Sequence, residues 1–186
     1  DVAAAELSLP WETAAVGSLG VTGEPSDAAG VLTVEGAGRL IGRNDSFQFV
    51  WQTIEGDGTI TARVHTLDDT GSDVRVGIMV RDTLGTNSRH VFLGVDGTGA
   101  FKWLRRTSPG AMTATSRSGN SSGGDAWLRL ARVNGIITAS KSLDGVTWTT
   151  LGSLSANLPS TCYFGLVAVS GDNAVLNSSK FDQVSV

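Results

Sequence analysis

Hydrophobic residues alternate with polar or small residues in short runs along most of this chain. In the run VRVGIMVR, residues 74–81, Val74, Val76 and Ile78 fall on one side of an extended backbone and Arg75, Gly77 and Met79 on the other. Clusters of Gly, Asn, Asp and Ser, which favour turns, separate the runs. The pattern predicts roughly ten to thirteen strands. It predicts almost no helix, because no apolar stripe with a helical period reaches helical length.

So many antiparallel strands can bury their apolar sides only by packing as two sheets. The 24 glycines and the low charged fraction of 17% fit a protein with many tight turns. The longest small and polar segment, TSRSGNSSGG at residues 115–124, is interpreted as a loop and not as a domain linker. We therefore expect one all-β domain over residues 1–186, a two-sheet antiparallel jelly-roll sandwich.

Alternation also predicts which side chains leave the core. In RHVFLGV, residues 89–95, the set with Val91 and Leu93 is expected to face inward, so His90 and Phe92 face the other way. If this run pairs with VRVGIMVR as a hairpin, His90 and Phe92 share an outer surface with Arg81. The sequence thus predicts a polar and aromatic face on that sheet.

Charge and hydropathy exclude several kinds of partner. The net charge of -4 and the isoelectric point near 5.1 disfavour nucleic acid, which is bound through clustered basic residues. No apolar stretch approaches the roughly 20 residues needed to span a bilayer, so membrane insertion is not expected. The chain begins at Asp1 without an initiator methionine, and we interpret it as a domain excised from a larger protein or as a mature product.

Catalytic patterns are missing from the sequence. Glycosidases use two carboxylates at a defined separation, and no Glu-x-Asp-x-x-Glu pattern occurs. Only His65 and His90 could act as a base for a nucleophile. The motif SKSLDGVTWT, residues 140–149, places Asp144 and Gly145 between two strand-like runs, which predicts a hairpin turn. We therefore expect no enzymatic activity and no required cofactor.

Calcium needs only oxygen ligands, and the segment DDTGSD, residues 68–73, is the densest source of them. Asp68, Asp69 and Asp73 are the weak candidates for a structural calcium site, with a solvated loop as the other interpretation. The single cysteine, Cys162, lies in an apolar run and is expected to be buried and free.

Tryptophan is the positive signal for function. Sugar rings stack their C–H faces on exposed aromatic rings while polar side chains bind the hydroxyl groups. Trp127 and Trp148 have strand-like apolar neighbours and are expected in the core. Trp103 lies in KWLRR beside Arg105 and Arg106, which makes it the better candidate for a sugar contact.

Five segments carry a family resemblance in their order along the chain: VRVGIMVRDTLGTNSRHVFLGV, FKWLRRTSPG, AWLRLARVNG, SLDGVTWTTLGS and YFGLVAVSGDNAVLNSSKFDQVSV. They resemble the concanavalin A-like lectin/glucanase domains that occur as accessory modules of large secreted bacterial proteins. The resemblance implies a two-sheet jelly roll, export and linkage to other domains. It also implies sugar binding on the concave sheet or on loops at one edge. Carried over onto this chain, Arg81 and Asp82 with Arg105 or Arg106 would contact the glycan, or Arg81 and Asp82 would instead lock the sandwich edge as an ion pair.

The function predicted from the sequence is a non-catalytic carbohydrate-binding module that brings a linked enzyme or surface protein to a polysaccharide. The predicted ligand-binding residues are Arg81, Asp82, His90, Phe92, Trp103, Arg105 and Arg106. We expect a monomer, secreted or on the cell surface of a bacterium. Two alternatives remain open, a structural or adhesion domain that binds no sugar and a glucanase-like hydrolase.

Overall fold

The computed structural model describes residues 7–68, 71, 73–121 and 125–186. These residues contain fourteen strands, joined by turns and loops, and no helix. The strands are β1 (Glu12–Val16), β2 (Ser26–Ala28), β3 (Val31–Gly36), β4 (Phe47–Glu55), β5 (Gly58–Thr66), β6 (Arg75–Arg81), β7 (His90–Val95), β8 (Ala100–Arg106), β9 (Ala114–Asn120), β10 (Ala126–Val133), β11 (Ile136–Ser142), β12 (Thr149–Ser155), β13 (Thr161–Val169) and β14 (Asn177–Ser185). This confirms the prediction of an all-β fold almost without helix. Within these residues, no helix is long and apolar enough to cross a membrane.

The strands form two antiparallel sheets of seven, as the alternation predicted. Sheet A has the order β1-β4-β13-β6-β7-β8-β9, and sheet B has the order β12-β11-β10-β5-β14-β3-β2. One prediction was wrong here. Most of TSRSGNSSGG belongs to β9, which pairs with β8 at the edge of sheet A. An edge strand needs only backbone hydrogen bonds on one side, so a polar sequence without an apolar face can occupy it.

The main core lies between the two sheets and follows the predicted alternation. Val76, Ile78 and Val80 of β6 and Val91 and Leu93 of β7 belong to it. They pack with apolar residues from sheet B. The strand faces assigned from the sequence are therefore correct for this hairpin.

A second hydrophobic cluster covers the opposite face of sheet A. Its buried members are Val16, Leu40, Phe47, Phe49, Trp51, Met79, Phe92, Leu104, Val167 and Val169. Because strands carry apolar side chains on both faces only when both are covered, something must shield this cluster from water. Residues 37–46, which we call the strap, contribute Leu40 to it.

Backbone hydrogen bonds hold the strap to loops of sheet A. Arg39 and Ser46 pair with each other as an isolated β-bridge. The N–H of Asp45 donates to the carbonyl of Thr86 at 2.8 Å, and the N–H of Thr113 donates to the carbonyl of Gly42 at 2.8 Å. The strap therefore reaches both the β6–β7 loop and the β8–β9 loop.

Candidate functional site

The row of residues predicted to form a ligand-binding face does exist across sheet A. Arg81 of β6 is paired with His90 of β7, and His90 is paired with Arg106 of β8. Met79, Phe92 and Leu104 form the neighbouring row on the same face. The structure thus brings together Arg81, His90, Phe92 and Arg106 as the alternation implied.

A carboxylate from the strap neutralises part of the charge in this row. Asp45 accepts hydrogen bonds from both terminal nitrogens of Arg106, at 2.8 and 2.9 Å. Arg81 Nη2 lies 3.5 Å from Asp45 Oδ2. Burial raises the pKa of Asp45, against hydrogen bonding and charge from Arg106 and Arg81. Burial also lowers the pKa of Arg81 to about 10, which leaves it charged at neutral pH.

The two guanidinium groups are also satisfied by backbone carbonyls. Arg81 donates to the carbonyls of Thr83 and Gly85 at 2.6 and 2.7 Å. Arg106 donates to the carbonyls of Ala111 and Gly42 at 3.0 and 3.1 Å. Through these hydrogen bonds the two arginines hold the loops that cover sheet A in place.

The row is not an open binding face. The side chains of Arg81, His90 and Arg106 have no solvent-exposed surface, and Phe92 is equally buried. The sequence pattern showed that they point away from the main core, but it could not show that the strap closes over them. A ligand at the surface therefore cannot contact these four side chains in this structure.

Asp82 makes a different ion pair from the predicted alternative. It pairs with Arg89, whose Nη2 lies 2.7 Å from Asp82 Oδ2, and not with Arg81. Arg89 also donates to the carbonyl of Asn157. Asp82 therefore forms an ion pair at the edge of the sandwich, as the alternative predicted, but its partner is Arg89, the residue before β7.

Three tryptophan rings that could have stacked on sugar are covered by arginines. The guanidinium carbon lies 4.2 Å from the ring centre for Arg105 on Trp103, 5.6 Å for Arg63 on Trp127 and 3.6 Å for Arg129 on Trp148. Cation–π contacts of this kind are stabilising and occupy the ring face. Trp103 is also packed against Gly152. The expected core positions of Trp127 and Trp148 were wrong, because both lie half-buried and covered by arginine.

The SKSLDGVTWT motif forms the turn that was predicted. Asp144 Oδ1 accepts the N–H groups of Val146 and Thr147 at 2.8 and 2.7 Å and the hydroxyl of Ser142 at 2.8 Å. The hydrogen bonds from Thr147 and Val146 and from Ser142 lower the pKa of Asp144. The carboxylate is thus held ionised by its own turn.

An open pocket of about 450 Å³ lies beside this turn, and we call it the hairpin pocket. It is lined by Asn120, Lys141, Ser142, Leu143, Asp144, Thr147 and Thr149. Lys141 Nζ donates to the carbonyl of Ser118 at 2.6 Å and lies 4.6 Å from the Phe101 ring. Burial lowers the pKa of this lysine. The pocket therefore joins the edge strand β9 of sheet A to the β11–β12 hairpin of sheet B.

The sequence pattern does not indicate this pocket, because its residues come from both sheets. Asn120 is far from Lys141 and Thr149 along the chain, and only the packing of the sheets brings them together. The motif that contains Ser142 and Asp144 could be recognised in the sequence, but it indicated a turn and not a pocket.

A smaller pocket of about 280 Å³ opens between the sheets near His65 and Asp125. Its apolar wall includes Val64 and Val95. It offers fewer charged groups than the hairpin pocket.

Solved structures of low sequence identity share this architecture. A functionally unknown protein from Saccharomyces cerevisiae matches with a TM-score of 0.68 at 20% identity, covering 94% of this chain and 93% of that one. A β-glucanase of Bacillus licheniformis matches with a TM-score of 0.56 at 11% identity, covering 94% and 90%. A Crh5 transglycosylase in complex with NAG matches with a TM-score of 0.55 at 13% identity, covering 97% and 84%.

The chain has the concanavalin A-like jelly-roll fold. This confirms the resemblance seen in the sequence at the level of fold. No family model matches the chain, and no curated protein matches it.

Two carboxylates of this concanavalin A-like domain share one arginine side chain. Asp182 and Asp125 both pair with Arg63. Hydrogen bonding from Arg63 lowers the pKa of Asp182. The general acid of a glycosidase has a raised pKa, so the lowered pKa of Asp182 is the opposite of what that role requires.

The two calcium candidates that the structure describes, Asp68 and Asp73, make different contacts. Asp68 Oδ2 accepts the N–H of Ser178 at 2.9 Å, and Asp73 packs against Gly171. Asp69 lies outside the described residues. In the part of the chain that the structure describes, no three His, Cys, Asp or Glu side chains converge as a metal site. A structural calcium ion stays an untested expectation.

Substitution of Gly145 by alanine is expected to disturb the hairpin and Trp127 together. Gly145 has a φ of +74°, and a Cβ there would lie 2.8 Å from the Trp127 ring. We expect Gly145→Ala to lower the free energy of unfolding by roughly 2 kcal/mol and to change tryptophan fluorescence.

Gly135→Ala is the matched control, since Gly135 has a φ of +76° and open space around its Cβ. It should cost about 1 kcal/mol from backbone strain alone. Equal costs for the two variants in chemical denaturation would contradict the packing of Gly145 on Trp127.

Proposed function

We propose that this domain is a non-catalytic carbohydrate-binding module whose glycan site is the hairpin pocket. The observation that carries the proposal is the mixture of groups in that pocket. Lys141 supplies N–H donors, Asp144 and Thr149 supply oxygens, and Leu143 supplies an exposed apolar side chain. Sugars present hydroxyl groups and C–H faces together, and sites for them combine polar and apolar contacts in this way.

The fold neighbours favour a carbohydrate ligand. Their names describe a glycosidic hydrolase, β-glucanases and a transglycosylase. A module without catalysis is favoured because Asp45, Asp125 and Asp182 are each bound to arginine. The proposal includes secretion from a bacterium, a monomeric state and covalent linkage to other domains, with no cofactor required.

A structural or adhesion domain is the second candidate function. The observation in its favour is the arginine cover on Trp103, Trp127 and Trp148, which removes three ring faces from sugar stacking. Such a domain would hold its shape without binding any glycan. A glucanase-like hydrolase is a third candidate. Release of reducing sugars from the polysaccharides used in the binding experiment would reveal such an activity.

Binding to a polysaccharide panel separates these candidates. The purified domain is passed over insoluble β-glucan, chitin and xylan, with and without a calcium chelator. The proposal expects retention on at least one of them in both conditions. Retention on none would contradict the carbohydrate-binding function, and loss of retention with the chelator would show that a metal ion is required.

Thr149→Val tests the site itself. Thr149 lines the hairpin pocket, and removing one hydroxyl contact should weaken glycan binding by about three- to tenfold. Thr150→Val is the matched control, because Thr150 is the next residue of β12 and its hydroxyl lies 3.4 Å from that of Ser140 instead. Equal affinities for the two variants in calorimetry would remove the hairpin pocket from the proposal while leaving the carbohydrate function intact.

A further inference from the structure

The imidazole of His90 is the least satisfied polar side chain beneath the strap. Neither ring nitrogen meets full hydrogen-bond geometry, although a backbone group of Ser88 lies close enough to favour the charged form, and the ring has no exposed surface. Its Nδ1 lies 3.6 Å from Asp45 Oδ2, beyond hydrogen-bond distance. A buried polar group without a partner is unfavourable, and it becomes far more so when it gains a charge.

Each element packed around His90 brings a charged group. β6 brings Arg81, β8 brings Arg106 and the strap brings Asp45. The cluster therefore holds the guanidinium groups of Arg81 and Arg106 and the carboxyl group of Asp45 beside the imidazole. A proton on His90 would add a third positive charge in a site without water contact.

The strap can separate from sheet A without opening the main core. The main core lies between the sheets, whereas Leu40 of the strap belongs to the second cluster on the opposite face. The second cluster also contains the aromatic rings of Phe47, Phe49, Trp51 and Phe92. Release of the strap would withdraw Leu40 from this cluster and leave both sheets paired.

We propose that His90 is an acid-sensitive latch for the strap, so that its protonation releases residues 37–46 from sheet A while the sandwich stays folded. Above the ordinary titration range of histidine the imidazole is neutral and the strap is closed. Below that range the proton is taken up in the open state, where the ring meets water.

The sign of the effect follows from linkage. Burial, reinforced by the charges of Arg106 and Arg81, holds the pKa of His90 well below its usual 6.5 in the closed state. The open state binds the proton more readily, so the closed form is favoured above pH 6.5 and loses stability as pH falls below it. The open population should rise by up to roughly tenfold per pH unit in that range. The raised pKa of Asp45 acts in the other direction, because it favours the closed form in acid.

Amide hydrogen exchange measured from pH 7 to pH 4.5 tests the latch. The amides of Gly38 and Asp45 donate to carbonyls outside the strap, those of Asp172 and Thr86, and should lose protection by up to roughly tenfold per pH unit after correction for intrinsic exchange. Amides of β13 in the middle of sheet A should keep theirs. Strap amides that stay protected at pH 4.5 would overturn the proposal.

His90→Gln removes the titrating group, and His65→Gln is the matched control because His65 is exposed. The His90 variant should show no acid loss of strap protection, whereas the His65 variant should behave like the wild type. An unchanged acid response in His90→Gln would also overturn the latch.

A direct observation on the wild-type protein covers the case in which the His90 variant does not fold. The nuclear magnetic resonance signals of the His90 ring should remain those of a neutral imidazole wherever the strap is closed, and imidazolium signals should appear only under conditions in which the strap amides have lost their protection. Protonation of His90 while the strap amides remain protected would contradict the proposal.

Discussion

Asp45→Ala is expected to lower the free energy of unfolding by about 3–5 kcal/mol, as breaking a buried ion pair from one side does. Asp45 is the acceptor for two hydrogen bonds from Arg106 and lies beside Arg81, and all three side chains are fully buried. Its removal leaves two guanidinium charges in a site that water does not reach. The measurement is urea denaturation at neutral pH.

Asp125→Ala is the surface comparison for that prediction. Asp125 also pairs with an arginine, Arg63, at 2.7 Å, but its side chain is 46% exposed. Exposed pairs contribute about 0–1 kcal/mol, so this variant should unfold almost like the wild type. A similar small effect for Asp45→Ala would show that the cluster is open to water and would contradict its role in holding the strap.

Phe164→Ala should be comparably destabilising, by about 3–5 kcal/mol, through the cavity that it leaves in the main core. Phe164 is fully buried on β13, with its pairing partners Gln52 on β4 and Val80 on β6. Its loss removes contacts between the two sheets. We expect a lower denaturation midpoint with a single cooperative transition for the whole sandwich.

Phe92→Ala tests whether the two hydrophobic clusters contribute to stability independently. Phe92 is as buried as Phe164, but it belongs to the cluster under the strap. Its replacement should weaken strap protection in hydrogen exchange more than the protection of β10, whose buried apolar residues belong to the main core. If both variants lowered protection equally in the strap and in β10, the two clusters would form one cooperative unit.

Alternation was sufficient to predict the strands and the faces of the β6–β7 hairpin. A period of two forces Ile78 and Val80 onto one side and Arg81 onto the other, whatever the rest of the chain does. The all-β sandwich followed from the same rule, because apolar faces need a second sheet. The Asp144 turn could be predicted because its hydrogen bonds are local.

The environment of the outer face could not be predicted in this way. Alternation placed Arg81 and His90 away from the main core, and the usual reason for such a position is contact with water. Here Asp45, distant in sequence, closes over them. The same limit applied to Trp103, whose ring is covered by Arg105 and packed against Gly152.

By itself the sequence determined the strand pattern and the turn at Asp144, because both depend on neighbours along the chain. It also determined the two-sheet architecture, because the apolar faces of so many strands require a second sheet. The tertiary structure alone decided that Arg81, His90 and Arg106 are enclosed and that the open pocket lies between β9 and the β11–β12 hairpin. Burial and pocket formation depend on residues brought together from distant positions, and a local pattern carries no information about which of them will meet.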